Sequence, residues 1–167
     1  MNALQYFKFR KFRITFIGLI LIPLILISCG GANTSFDNEK YNALKDLLTS
    51  RNFEIENEWA YPSGGGNINL IGNTNFIRFQ GDSVEIYLPY FGVRHSGGGY
   101  DGEGGIKYKG LAKKFEIVEK PGKGNIEVEF EVDKSGETLN FYISLFPNDN
   151  ARTVVNTSQR STISYQG

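Results

Sequence analysis

Ile126-Glu127-Val128-Glu129-Phe130-Glu131-Val132 decides the fold of this chain. Apolar and acidic residues alternate at every position, and successive side chains of a β-strand point to opposite faces. A strand written this way buries one face and wets the other, as strands of antiparallel sheets do. Downstream, Leu139, Phe141, Ile143 and Leu145 repeat the pattern. Upstream, Val84, Ile86 and Leu88 repeat it, as do Phe53, Ile55 and Trp59 with Glu54, Glu56 and Glu58 opposite. Turn-forming residues separate these runs, among them Gly72-Asn73, Gly81-Asp82, Pro121-Gly122-Lys123-Gly124, Ser135-Gly136 and Pro147-Asn148-Asp149-Asn150. Nine or ten strands are expected, near residues 53–61, 67–71, 76–80, 83–88, 105–109, 114–120, 125–133, 137–146, 151–157 and 161–166. Connections this short cannot carry the crossovers that parallel strands need, so pairing is antiparallel.

One helix precedes the strands. Asp37 is placed to cap it, and Phe36 and Tyr41 flank the cap at the spacing of a hydrophobic staple. Tyr41, Leu44, Leu47 and Leu48 then form an apolar stripe at spacings of three and four, with Lys45, Asp46 and Arg51 on or near the wet face. A single helix cannot cover so many strands. The expected fold is mainly β, with one N-terminal helix packed on a curled antiparallel sheet, an open barrel or a sandwich.

The N-terminus is of another kind. Residues 1–28 contain Lys8, Arg10, Lys11 and Arg13 and no acid, and Ile14–Ile27 is apolar apart from Thr15, Gly18 and Pro23. As a helix that stretch would span about 21 Å, short of a hydrocarbon core of roughly 30 Å. Basic, then apolar, then small is the order of a secretory signal. Leu26-Ile27-Ser28-Cys29 resembles the lipobox of bacterial lipoproteins. The resemblance implies diacylglycerol on Cys29, cleavage after Ser28 and anchorage in a membrane; the competing reading is an uncleaved anchor with an incidental cysteine. No Asp follows Cys29, which under the same resemblance points to the outer membrane. The expected division is a signal peptide over 1–28, a lipidated cysteine and tether over 29–36, and one β-rich domain over 37–167.

Composition excludes several functions. Without its first 28 residues the chain has 14 bases against 18 acids, a net charge of −4 with no basic footprint for nucleic acid. Cys29 is the sole cysteine, so neither an internal disulfide nor a cysteine-pair zinc site can form. No cofactor motif is present.

One connection is long. Pro89 to Gly105 covers seventeen residues with seven glycines, the aromatics Tyr90, Phe91 and Tyr100, the single histidine His95, and the acids Asp101 and Glu103. Loops of this length in compact domains are usually functional or disordered. Val84-Glu85-Ile86-Tyr87-Leu88-Pro89-Tyr90-Phe91-Gly92, followed by Gly104-Gly105-Ile106, resembles an uncharacterised family of bacterial lipoproteins, the domain of unknown function 4251. Gly81-Asp82-Ser83-Val84 and the closing Arg160-Ser161-Thr162-Ile163-Ser164-Tyr165-Gln166-Gly167 fit the same family, so the likeness runs from about Phe53 onward. It implies a β-rich exported domain and no established activity.

The loop's residues set the functional expectations. His95 is followed by Ser96, but a nucleophile needs a positioned base and an orienting acid, and no Gly-x-Ser-x-Gly elbow occurs. His95 is expected as an exposed loop residue, with ligand contact as its alternative. Asp101 and Glu103 are weak candidates for a hard cation; the further acids of a calcium loop are missing. Tyr90, Phe91 and Tyr100 could stack on a sugar ring or close over an apolar ligand, or Tyr90 and Phe91 could fold back as a lid on the sheet. The expected protein is a non-enzymatic, membrane-anchored binding domain for a small apolar or glycan ligand or an envelope component. The alternatives are a structural or protein-binding lipoprotein with a solid core, and a glycan hydrolase using Asp101 or Glu103.

Overall fold

In the computed structural model, which describes residues 37–95 and 105–167, Asp37 caps helix α1, Asn38–Ser50. Its carboxylate accepts from Lys40 N at 3.2 Å. The helix stops where Arg51 turns left-handed (φ 52°) and returns its N–H to Leu48 O. The buried stripe is narrower than expected. Tyr41 and Leu48 are buried and Leu44 packs against the core, whereas Leu47 is 48% exposed. At about 100° per residue, Tyr41, Leu44 and Leu48 share one line and Leu47 falls beside it. Phe36, the signal segment, Cys29 and the tether lie outside the described residues.

Eleven strands follow: β1 Asn52–Ile55, β2 Trp59–Pro62, β3 Ile68–Asn69, β4 Phe76–Gln80, β5 Ser83–Pro89, β6 Gly105–Leu111, β7 Lys113–Lys120, β8 Asn125–Lys134, β9 Glu137–Leu145, β10 Ala151–Thr157 and β11 Ile163–Gln166. They form two antiparallel sheets, ordered β1-β4-β5-β6 and β3-β2-β11-β10-β9-β8-β7. This is a sandwich-like arrangement without a closed barrel.

The single strand expected over 53–61 is two strands in different sheets. Phe53, Ile55 and Asn57 are buried, and then Ala60 rather than Trp59 faces inward. The alternation loses its phase at 56–58, where the chain leaves the small sheet for the large one. β6 and β7 make the same crossing at the other side through Ala112, whose N–H donates to Asp82 O at 3.0 Å. There the β7–β8 register shifts between Lys113 and Glu116 and Lys114 adopts a φ of 51°. Elsewhere the turns are tight. Ser135 and Gly136 both have positive φ (51° and 79°), the backbone that a two-residue hairpin between right-twisted strands requires.

The deciding stretch behaves as written. Ile126, Val128, Phe130 and Val132 are buried, while Glu127, Glu129 and Glu131 lie on the wetter face. Lys114 pairs with Glu131 at 2.9 Å and Lys113 with Asp133 at 2.8 Å. The hydrogen bond to Asp133 holds the Lys113 ammonium above its ordinary pKa, but such exposed pairs add little stability.

Between the sheets the space is filled by an aromatic ladder. Phe53 stacks on Phe79 with centroids 4.9 Å apart, Phe79 meets Phe115 and Phe130 edge-on at 5.2 and 5.0 Å, and Phe130 stacks on Phe141 at 4.6 Å. A ligand is therefore not to be sought between the sheets. One buried hydroxyl of this interior is unmatched. Thr153 on β10 is fully buried and its Oγ1 finds no hydrogen-bond partner among the described residues. A buried hydroxyl without a partner costs about 1–3 kcal/mol. Thr153→Val keeps the shape and is expected to raise stability by about 1 kcal/mol, read as a higher urea midpoint at unchanged slope.

Helix α1 sits at one end of the sandwich. The Arg51 guanidinium pairs with Asp82 at the β4–β5 turn and stacks 4.3 Å from the Phe115 ring, and Lys45 pairs with Glu119 at 2.7 Å. From that end β5 runs about 20 Å to Pro89 at the other. The long connection leaves from there.

Candidate functional site

Tyr165 and Tyr90 anchor the beginning of the connection. Tyr165 on β11 is fully buried and donates its hydroxyl to Pro89 O at 2.7 Å. Burial pushes its phenol far above the ordinary range, so it stays a neutral donor. Tyr90 folds back, with its hydroxyl 3.0 Å from Val93 O and 2.9 Å from Ser161 O. Residues 93–95 then run against the β10–β11 connection, with Ser161 N donating to Val93 O at 2.9 Å and His95 N to Gln159 O at 2.7 Å.

A buried ion pair secures both stems. Arg160 Nε donates to both oxygens of Glu137 (2.9 and 3.2 Å) and Nη2 to Oε2 (3.0 Å). The two side chains are 9% and 4% exposed. Arg160 Nη1 donates to Gly105 O at 3.2 Å, its guanidinium lies 5.2 Å from the Tyr90 ring, and Arg94 Nη2 is 3.6 Å from Glu137 Oε2. Glycine is required at the stems: a Cβ on Gly92 would run into the Tyr90 hydroxyl, and one on Gly105 would come within 2.9 Å of Leu88 O.

Beside these stems lies an open groove of about 910 Å³. One wall is the β3–β4 connection, presenting Asn69, Asn73 and Thr74; the other presents Tyr87, Phe91 and Lys107. The first wall is built in advance. Asn75 Oδ1 accepts from Asn57 N and Nδ2 at 2.9 and 3.0 Å, and Asn75 Nδ2 donates to Asn57 O at 2.8 Å and Asn73 O at 3.1 Å. Leu70 N donates to Glu58 O at 2.7 Å, and Asn69 Oδ1 accepts from Ile71 N. In the second wall Tyr87 is 40% exposed, its ring stacked on Phe76 at 6.1 Å with Lys107 Nζ 5.1 Å from its centroid. Phe91 is 45% exposed, and Ile71 and Val93 nearby are more exposed still.

The aromatic pair read from the loop therefore divides. Tyr90 is part of the clasp and Phe91 lines the groove. His95 is exposed, its Nε2 3.3 Å from Ser161 Oγ, and that hydroxyl also lies 3.2 Å from Val93 O; Ser96 lies outside the described residues. Tyr100, Asp101 and Glu103 lie outside the described residues. Among the described residues, no three His, Cys, Asp or Glu stand together as a metal site. The sequence reading missed Tyr87, although an aromatic at a solvent-facing position of an alternating strand was a visible signal. It also missed the amide wall and the Glu137–Arg160 pair, whose partners are 23 residues apart.

Fold and groove together define a small, helix-capped antiparallel β-sandwich with an open surface cleft. Residues 36–167 match the family model of a domain of unknown function, and the chain belongs to that family, DUF4251. A solved neighbour, the crystal structure of a DUF4251 family protein from Bacteroides eggerthii DSM 20697, is 22% identical to it. That alignment covers 78% of this chain and 87% of the other with a TM-score of 0.58, a likeness of fold. No curated protein matches the chain.

Proposed function

We propose that this chain is an envelope lipoprotein, acylated on Cys29 and held at the outer membrane, whose sandwich binds a ligand in the open groove without transforming it. The observation that carries the reading is the pair of half-exposed rings, Tyr87 and Phe91, facing an amide wall already held by buried hydrogen bonds. Exposed aromatics on a rigid frame contribute binding area with little ordering entropy.

The test is native mass spectrometry of the full-length protein extracted in detergent. A small-molecule adduct beyond the lipidated mass is expected, lost on Phe91→Ala and retained on Tyr142→Ala, a substitution on β9 outside the groove lining. Cys29→Ala is expected to abolish palmitate labelling and release the protein from the membrane fraction. The second reading, a protein-binding lipoprotein, is favoured by the exposed Ile71 and Val93 beside the groove. Absence of an adduct, with a Phe91-dependent crosslink to another envelope protein, would establish it instead.

A further inference from the structure

We propose that the ligand of this groove is a neutral carbohydrate chain, an assignment that rests on the binding role given to the groove above. The chemistry of the two walls selects it. Asn69, Asn73 and Thr74 offer side chains that can both donate and accept hydrogen bonds, as sugar hydroxyls can. Opposite them, the half-exposed Phe91 offers an apolar ring of the kind that packs against the C–H face of a pyranose, with Tyr87, 40% exposed, beside it in the same wall.

Other ligand classes fit less well. An acyl chain would press its methylenes against the amide wall and leave those groups without hydrogen bonds. It would also lie half in water, because the groove is an open trough, whereas pockets for small apolar molecules enclose most of the ligand surface. An extended peptide needs a free strand edge to pair with. Here β3 is two residues long and β5 lies inside its sheet between β4 and β6, while β6, the outer strand of that sheet, lends only Gly105 and Lys107 to the groove. A charged ligand needs a countercharge; no carboxylate belongs to the described lining, and its one cation, Lys107, is drawn over the Tyr87 ring. A polymer of hydroxylated rings satisfies both walls and can extend beyond the trough at either end.

The assignment is tested by affinity electrophoresis of the full-length protein in detergent, through native gels containing an α-glucan, a β-glucan, a mannan or an arabinoxylan. At least one is expected to retard the protein. Phe91→Ala should abolish the retardation and Phe91→Trp should preserve it. Because Phe91 is 45% exposed, its alanine variant should keep the wild-type urea midpoint, so lost retardation would not reflect misfolding. Retardation by none of the four polymers, or retardation that survives both Phe91→Ala and Tyr87→Ala, overturns the proposal. If none retards the protein yet a Phe91-dependent adduct is found by mass spectrometry, the groove binds and its ligand is not a neutral glycan. If neither is found, both readings fall.

Discussion

Glu137→Ala is expected to destabilise the domain by about 3–5 kcal/mol, the usual result of removing one partner of a buried ion pair. The wild-type side chains are 4% and 9% exposed, so the Arg160 guanidinium would stay out of water with its carboxylate gone. Gly105 O and the Tyr90 ring would remain as its partners, neither of them carrying a charge. Arg160→Met should cost less, because Arg94, 3.6 Å from Glu137 Oε2, still faces the carboxylate. The double variant Glu137→Leu with Arg160→Met should recover much of the loss, since apolar residues of similar volume often replace a buried pair at little expense. With Glu137→Leu as the matching single variant, urea unfolding of wild type, Glu137→Leu, Arg160→Met and the double variant closes a thermodynamic cycle. Strict additivity would show that the pair is not a coupled unit. The damage should be concentrated at the stems of the long connection, so Glu137→Ala should also weaken any Phe91-dependent binding.

Phe79→Ala should cost about as much, roughly 3–5 kcal/mol, for a different reason. Phe79 is 1% exposed and touches Phe53, Phe115 and Phe130, which belong to β1, β7 and β8. Its removal leaves a void where the two sheets meet and takes three ring contacts with it. Phe79→Leu, which refills most of the volume, should lose clearly less. Tyr142→Ala, at a position 42% exposed on β9, should stay within about 0.5 kcal/mol of wild type. Equal losses at Phe79 and Tyr142 would show that the ladder does not hold the sheets together.

The strands were legible because their signal is local. In β8 and β9 each apolar residue that alternation assigned inward is buried, from Ile126 to Leu145. Asp37 was legible as a cap because capping is settled within three residues. The division into two sheets was not. Whether Ile55 and Ala60 belong to one sheet or two depends on β4 and β11, the partners they find elsewhere in the chain. At 56–58 the run of acids and apolar residues still looks regular, while Asn57 is buried against Asn75, an amide pair that no periodicity announces. The groove was half visible. The loop motif pointed to Phe91 but gave no means of separating it from Tyr90, because the difference lies in the carbonyl of Ser161, 71 residues away. The Asn69–Thr74 wall carried no signal beyond a turn. Its geometry comes from hydrogen bonds to residues preceding β2.

The strand order also bears on how the molecule is assembled in time. From β4 to β5 and again from β7 to β11, each ladder joins neighbours in sequence, so hairpins can form one after another with little chain to close. Two seams are exceptions, β1 with β4 and β11 with β2, and the second reaches much farther, uniting residues such as Tyr61 and Gln166 that are 105 positions apart. Nothing rewards that contact until the intervening hairpins exist, so it belongs late on the folding route and early on the unfolding one. Tyr165, hydrogen-bonded across to Pro89 next to that seam, would then act on the lifetime of the folded state more than on the speed of reaching it. A domain with no cysteine to crosslink it depends on that slow step of release.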